Sequence, residues 1–129
     1  MKGLLIAFLI HVLTANIVLS QTKPCPGKHA RLPAITGLTY TAARKKLLAA
    51  RWQPVRTKSF NEVNSDDQER IFWRRGYVEL QDCGGASNVF CYFLYKDAYG
   101  NQLHVTTEGE ELPQHKTYAR VTDFEFVCD

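Results

Sequence analysis

The sequence predicts an α+β domain: one main helix packed on an antiparallel sheet of about four to five strands, stapled by two disulfides. Three observations predict it. One stretch, Thr41 to Trp52, has helical periodicity and is stopped by Pro54. Beyond it the pattern changes to short alternating or aromatic runs separated by turn residues. All four cysteines, Cys25, Cys83, Cys91 and Cys128, follow an apolar leader.

The chain of 129 residues is one domain's worth. It opens Met1-Lys2-Gly3, runs apolar from Leu4 to Leu19, and breaks at Ser20-Gln21. A basic start, a short hydrophobic run and a small residue at the break mark a secretory signal peptide over residues 1–20, with a mature domain over 21–129. A retained anchor needs ~20 apolar residues, and this run is shorter and interrupted by His11, Thr14 and Asn16. No stable membrane span is therefore expected after cleavage, and the expected location is periplasmic or secreted. In such an oxidising compartment the four cysteines read as two disulfides. Of the three pairings, Cys83–Cys91 closes a short segment and Cys25–Cys128 ties the two ends. No C-x-x-C pair supports zinc, and no metal or cofactor is expected.

Within the helix, Thr39 or Thr41 serves as N-cap. Ala43, Leu47, Leu48 and Ala50 or Arg51 recur at helical spacing, with Arg44, Lys45 and Arg51 on the polar side. Gln53 to Ser59 reads as an edge strand limited by Pro54, and Asn61 to Glu69 as a polar loop. Gly76 to Cys83 reads as a strand. Val89 to Lys96, aromatic on both faces, reads as the central strand. Asp97-Ala98-Tyr99-Gly100 makes a hairpin turn with Gly100 in the left-handed position. Asn101 to Thr107 returns with Leu103, Val105 and Thr107 on one face, and Glu108 to Lys116 reads as a charged loop. The closing strand, Tyr118 to Cys128, alternates Thr122, Phe124, Phe126 and Cys128 against Val121, Asp123, Glu125 and Val127.

Charge is uneven. Nine basic and no acidic residues lie between Gln21 and Lys58, whereas Gln81 to Asp129 holds eight acidic against three basic. That asymmetry points to charged partners, or to ordinary surface pairs once the halves fold together.

The stretch Leu32-Pro33-Ala34-Ile35-Thr36-Gly37-Leu38-Thr39, followed by Ala43, Leu47 and Ala50, resembles the first half of a PASTA domain. That family opens with an aliphatic-Pro strand, a Gly-hydrophobic-Thr turn, and a helix with alanine, leucine and alanine at these offsets. The family's glycine after the helix is here Arg51, and its following hydrophobe is Trp52. The resemblance covers residues 32–57. It implies a bacterial envelope setting and contact with cell-wall fragments, and it carries over no binding residue.

Nothing in the sequence assembles a catalytic motif: Ser-His-Asp, HExxH and phosphate-loop patterns are absent. His29, His104 and His115 are scattered, and Glu108, Glu110 and Glu111 read as a solvated loop. The protein is expected not to be an enzyme. The candidate binding surface joins the basic helix face, Arg44, Lys45 and Arg51, to the run containing Trp73, Arg74, Arg75 and Tyr77, residue types that anchor interfaces. In the alternative for that run, Phe72 and Trp73 are core and the arginines are a turn's solvated edge. Trp52 is expected in the core.

Three functions remain open. The first is a non-catalytic binding domain of the bacterial cell envelope that contacts a protein or cell-wall ligand, with no nucleic acid. The second is an inhibitor or immunity protein that neutralises a secreted toxin or lysozyme-like hydrolase. The third is a small hydrolase or nuclease using His104. The Gln-x-Val-x-Gly loop of cystatin-type inhibitors is absent.

Overall fold

The computed structural model describes residues 25–63 and 67–128. The expected signal peptide falls on residues 1–20, outside the described residues. Two helices, α1 (Tyr40–Ala49) and α2 (Asp67–Arg74), pack on an antiparallel sheet. Its strands are β1 (Gln53–Pro54), β2 (Leu80–Gly84), β3 (Phe90–Lys96), β4 (Gln102–Glu108) and β5 (Arg120–Val127). β3 is central: β4 lies on one side with β5 beyond it, while β1 and β2 share the other edge.

α1 starts where Thr39 Oγ1 accepts the Ala42 N–H at 3.3 Å, so Thr39, not Thr41, is the N-cap. Ala43 and Leu47 are fully buried, and their small and branched side chains let the helix sit against the sheet. Leu48 faces outward instead. The helix ends in a Schellman motif: Trp52 N–H donates to the Leu47 carbonyl and Arg51 N–H to that of Leu48, each at 3.0 Å. Arg51 holds the left-handed position at φ 70°. Trp52 is fully buried, as its sequence position predicts.

The expected strand from Gln53 to Ser59 shrinks to two residues, because β2 occupies the remaining edge of β3. Pro54 opposes Tyr95 while Leu80 already opposes Phe93, and the Leu94 N–H goes to the Glu79 carbonyl. The polar segment from Asn61 to Glu69, expected as a loop, runs through a single 3-10 turn (Phe60–Glu62) and into α2. α2 carries Gln68 and Glu69 beside Phe72 on its covered face. It ends as α1 does, with Tyr77 N–H on Phe72 O and Gly76 N–H on Trp73 O, and Gly76 at φ 81°. The strand expected from Gly76 therefore begins only at Leu80.

The core is aromatic. The Tyr40 ring stacks on Phe93 with centroids 3.7 Å apart, and Phe72 meets Phe93 edge-on at 5.1 Å. From the sheet, Phe93 and Tyr95 on β3 and Leu103, Val105 and Thr107 on β4 point into this layer. A register shift after Thr106 corrects the expected alternation of β5: Thr106 opposes Asp123, but Thr107 opposes Val121. The extra residue, Thr122, turns Val121 into the core on the same face as Phe124 and Phe126.

Both disulfides pair as expected. Cys25–Cys128 closes a separation of 103 residues, and Cys83–Cys91 joins directly opposed positions of β2 and β3. Disulfides fit an oxidising location outside the cytoplasm. Among the described residues no helix is long and apolar enough to cross a membrane.

Candidate functional site

The covered side of the sheet holds three buried glutamates, and each draws in a basic residue. Glu79 is fully buried at the foot of β2. Its Oε1 accepts the Tyr40 hydroxyl at 2.6 Å, the Tyr95 hydroxyl at 3.1 Å and Arg44 Nε at 2.6 Å. Tyr40 and Tyr95 also bond each other at 2.6 Å. Burial first, then the charges of its neighbours, pushes the Tyr40 hydroxyl well above the ordinary tyrosine value. Burial and the Glu79 charge do the same for Tyr95, against the opposing hydrogen bond from Tyr40. Burial disfavours the Arg44 charge, but the hydrogen bond and charge of Glu79 outweigh it and hold the guanidinium protonated.

Glu111 is likewise buried, not solvated as its run of acidic neighbours suggested. It accepts the Ala119 N–H at 2.8 Å and pairs with Arg75, while its own N–H goes to Gln68 Oε1 at 2.7 Å. Glu110 is exposed and Glu108 half-buried. Glu69, fully buried on α2, pairs with Lys58 at 2.6 Å. Buried carboxylates survive because each is paired and hydrogen-bonded.

This chemistry sorts the residues expected to form a binding surface. Arg44 and Arg75 are engaged by Glu79 and Glu111, and both guanidiniums lie against the Tyr77 ring, 4.7 and 5.1 Å from its centroid. Tyr77 is buried, its hydroxyl 3.0 Å from Thr41 Oγ1. Trp73 is half-buried with the Arg56 guanidinium 5.4 Å from its ring centroid. Lys45, Arg51 and Arg74 are exposed and take part in no ion pair among the described residues.

Arg51 is not alone. It lines a cleft of about 410 Å³ with His29, Arg31 and Tyr99, floored by Ala30, Ala49, Ala50 and Ala98. The Lys28 ammonium lies 5.0 Å from the centroid of the Tyr99 ring. One wall is the lead-in segment, and the β3–β4 turn holds it. Asp97 Oδ2 accepts the Ala30 N–H, and Asn101 Nδ2 donates to the Lys28 carbonyl. Asp97 Oδ1 also takes the N–H groups of Tyr99 and Asn101. Burial raises the Asp97 carboxyl, but the Asn101 side chain and these three backbone N–H groups outweigh it and leave it below the usual carboxylate range. From the other wall Trp52 Nε1 donates to the Arg31 carbonyl at 3.0 Å. The His29 Nδ1–H donates to the Ala30 carbonyl at 2.7 Å, and its ring packs on Phe126.

Sequence reasoning named Arg51 but not its neighbours in the cleft. The basic lead-in and the Asp97…Asn101 spacing carried the signal, but only the fold shows that the turn grips residues 28–31.

The opposite face of the sheet is uncovered by either helix. Its rows follow the register: Asp82, Tyr92, Thr106 and Asp123 in one, Leu94, His104 and Glu125 in the next. Tyr92, Asp82, Asp123 and Glu125 are exposed. His104 thus lies on this face, His29 in the cleft and His115 on an exposed 3-10 turn, so the three histidines sit at separate places. Among the described residues no group of three or more His, Cys, Asp or Glu could hold a metal ion. No protein-family model matches the chain, and comparisons with curated proteins and with solved structures find no match.

Proposed function

We propose that this chain is a non-catalytic binding domain of the bacterial cell envelope, periplasmic or secreted, which holds an anionic cell-wall ligand on its helix-covered side. One observation carries the reading. Arginines next to buried carboxylates are consumed by them, whereas Arg31 and Arg51 have no carboxylate partner among the described residues and meet at one cleft. Exposed Lys45 and Lys46 on α1 extend the positive character, which draws anions by long-range attraction. The resemblance of residues 32–57 to a PASTA half-module supports a wall ligand. The test is co-sedimentation of the oxidised protein with purified cell walls. Retention that survives moderate salt and falls when wall anions are stripped supports the reading; no retention at low salt overturns it.

A second reading, an inhibitor or immunity protein, has its own observation: the uncovered sheet face presents Asp82, Asp123 and Glu125 around exposed Tyr92. An acidic face with an aromatic anchor suits a basic, lysozyme-like hydrolase. A 1:1 complex broken by Asp123→Lys with Glu125→Lys supports it; no complex at micromolar concentrations removes it.

A further inference from the structure

We propose that the cleft between residues 28–31 and the carboxyl end of α1 is a site for an organic phosphate, a phosphate carried on a polyol or sugar. Arg31 and Arg51 take the phosphate, and the alanine floor and Tyr99 ring take the carbon skeleton. This deepens the anionic-ligand reading above and rests on it.

A residue with a Cβ in the left-handed region costs about 1 kcal/mol or more relative to its usual wells, and glycine avoids that cost. α2 places Gly76 at this step of the same Schellman motif, whereas α1 places Arg51 there at φ 70°. The Arg51 side chain shows no return for this within the described fold: it is exposed and makes no ion pair among the described residues. What it does is line the cleft together with Arg31. Strain retained without a structural return points to a ligand.

The lead-in wall is preorganised. Three hydrogen bonds fix the backbone of the lead-in wall: Asp97 to the Ala30 N–H, Asn101 to the Lys28 carbonyl, and Trp52 to the Arg31 carbonyl. The Cys25–Cys128 bridge ties the same segment to the carboxyl end of the domain. A wall held this way loses little freedom on binding.

A helix carboxyl end ordinarily repels anions through its open carbonyls, but those of Lys46, Leu47 and Leu48 are already taken by the N–H groups of Ala50, Trp52 and Arg51. The Asp97 carboxylate that anchors the wall is occupied by four hydrogen bonds within the protein. His29, Arg31 and Arg51 therefore line the cleft without a carboxylate partner among the described residues. Planar guanidinium forks match phosphate oxygens bidentately, and two of them suit a dianion better than a single carboxylate. A volume of about 410 Å³ accepts a phosphorylated polyol or monosaccharide, not a folded partner.

The test follows backbone and side-chain NMR shifts of the oxidised protein during titration with glycerol 1-phosphate, glucose 1-phosphate, glycerol and acetate. Saturable shifts at Arg31, Arg51 and Tyr99 with both phosphates, little response to glycerol or acetate, and at least tenfold weaker binding in Arg31→Ala and in Arg51→Ala support the site. Unchanged thermal midpoints in those variants exclude misfolding as the cause. Arg70→Ala, exposed on α2, should bind like the parent. Phosphatidylglycerol vesicles and a phosphate-bearing wall polymer separate the two sources of such a group, and cleft-dependent binding to either supports the site. Wall retention that persists in both arginine variants, with no phosphate response, overturns the cleft and leaves the binding-domain reading standing. Absence of both retention and phosphate response overturns both.

Discussion

Helices α1 and α2 finish in the same hydrogen-bond pattern with different residues at the left-handed step, Arg51 in one and Gly76 in the other. Their surroundings differ in the same sense. Around the start of α1 and the end of α2, Arg44 and Arg75 are held by Glu79 and Glu111, and Tyr77 fills the space against both guanidiniums. At the other end of α1, Arg51 and Arg31 border a cleft, and no carboxylate among the described residues claims them. One region spends its positive charges on its own architecture and keeps a relaxed backbone. The other keeps its charges available and tolerates strain. Residue type alone does not separate a structural arginine from a binding one; a buried carboxylate within reach does.

The largest expected effect breaks the cleft end. Replacing Cys25 and Cys128 together by alanine reopens a closure of 103 residues, which chain entropy values at about 4–5 kcal/mol. The thermal midpoint should fall by about 20 °C. Removing Cys83 and Cys91 reopens a separation of only 8 residues, worth about 2–3 kcal/mol. Calorimetry of the two double variants checks the order, and equal losses would show that the ends are not what the long bridge holds.

The next effect breaks the locked end. Glu79→Gln leaves Arg44 half-covered without its counter-charge. Losing one partner of a buried pair costs about 3–5 kcal/mol, and the partial exposure of Arg44 reduces this to about 2–3 kcal/mol by solvent screening. Urea unfolding measures it. The comparison predicts that the same variant leaves ligand binding at the cleft unaltered.

That division was only partly legible in the sequence. The class, a helix in this region, the central aromatic strand and both disulfide pairings follow from periodicity, turn chemistry and cysteine spacing, and the structure has them, although the helix expected over Thr41 to Trp52 runs Tyr40–Ala49. α2 escaped because Gln68 and Glu69 sit on its covered face and break the apolar period. Val121 was assigned to the wrong face because one bulge residue, Thr122, inverts an alternation that spacing alone assumes. Glu111 read as part of a solvated loop, since its partner Arg75 is 36 residues away, and nothing local singles out Glu79, whose partner Arg44 is 35 residues away. Long-range pairing of charge is invisible to local pattern, and that pairing is what removes Arg44, Arg75 and Tyr77 from the free surface.

The locked end also has a signature in alkali. Tyr40 and Tyr95 hold their protons above the ordinary tyrosine value of about 10. Below that value both folded and unfolded chains are protonated, and the contribution of the two hydroxyls to stability is complete. As pH rises past it, the unfolded chain releases protons that the folded one retains, so stability falls progressively through the folded-state range. Tyr95→Phe removes one of these protons, and its unfolding free energy should decline less steeply between pH 9 and 11, pH values set by that ordinary range. An unchanged slope would mean that the buried hydroxyls are not what limits alkaline stability.

The smallest effect sharpens the comparison most. Arg51→Gly relieves a left-handed Cβ, while adding a flexible residue to the unfolded chain offsets part of the gain. The net is a stabilisation of up to about 1 kcal/mol. At the matching step of α2 nothing lies within 4 Å of a Cβ built on Gly76, so Gly76→Ala meets no clash and loses only the backbone preference. It should therefore destabilise by about 1 kcal/mol. The two substitutions run in opposite directions at equivalent positions of one motif, and differential scanning calorimetry reads both. If Arg51→Gly instead destabilises, the arginine has a structural use and the strain no longer argues for a ligand. If it stabilises while binding is lost, the fold gives up stability at a position where an arginine serves the cleft.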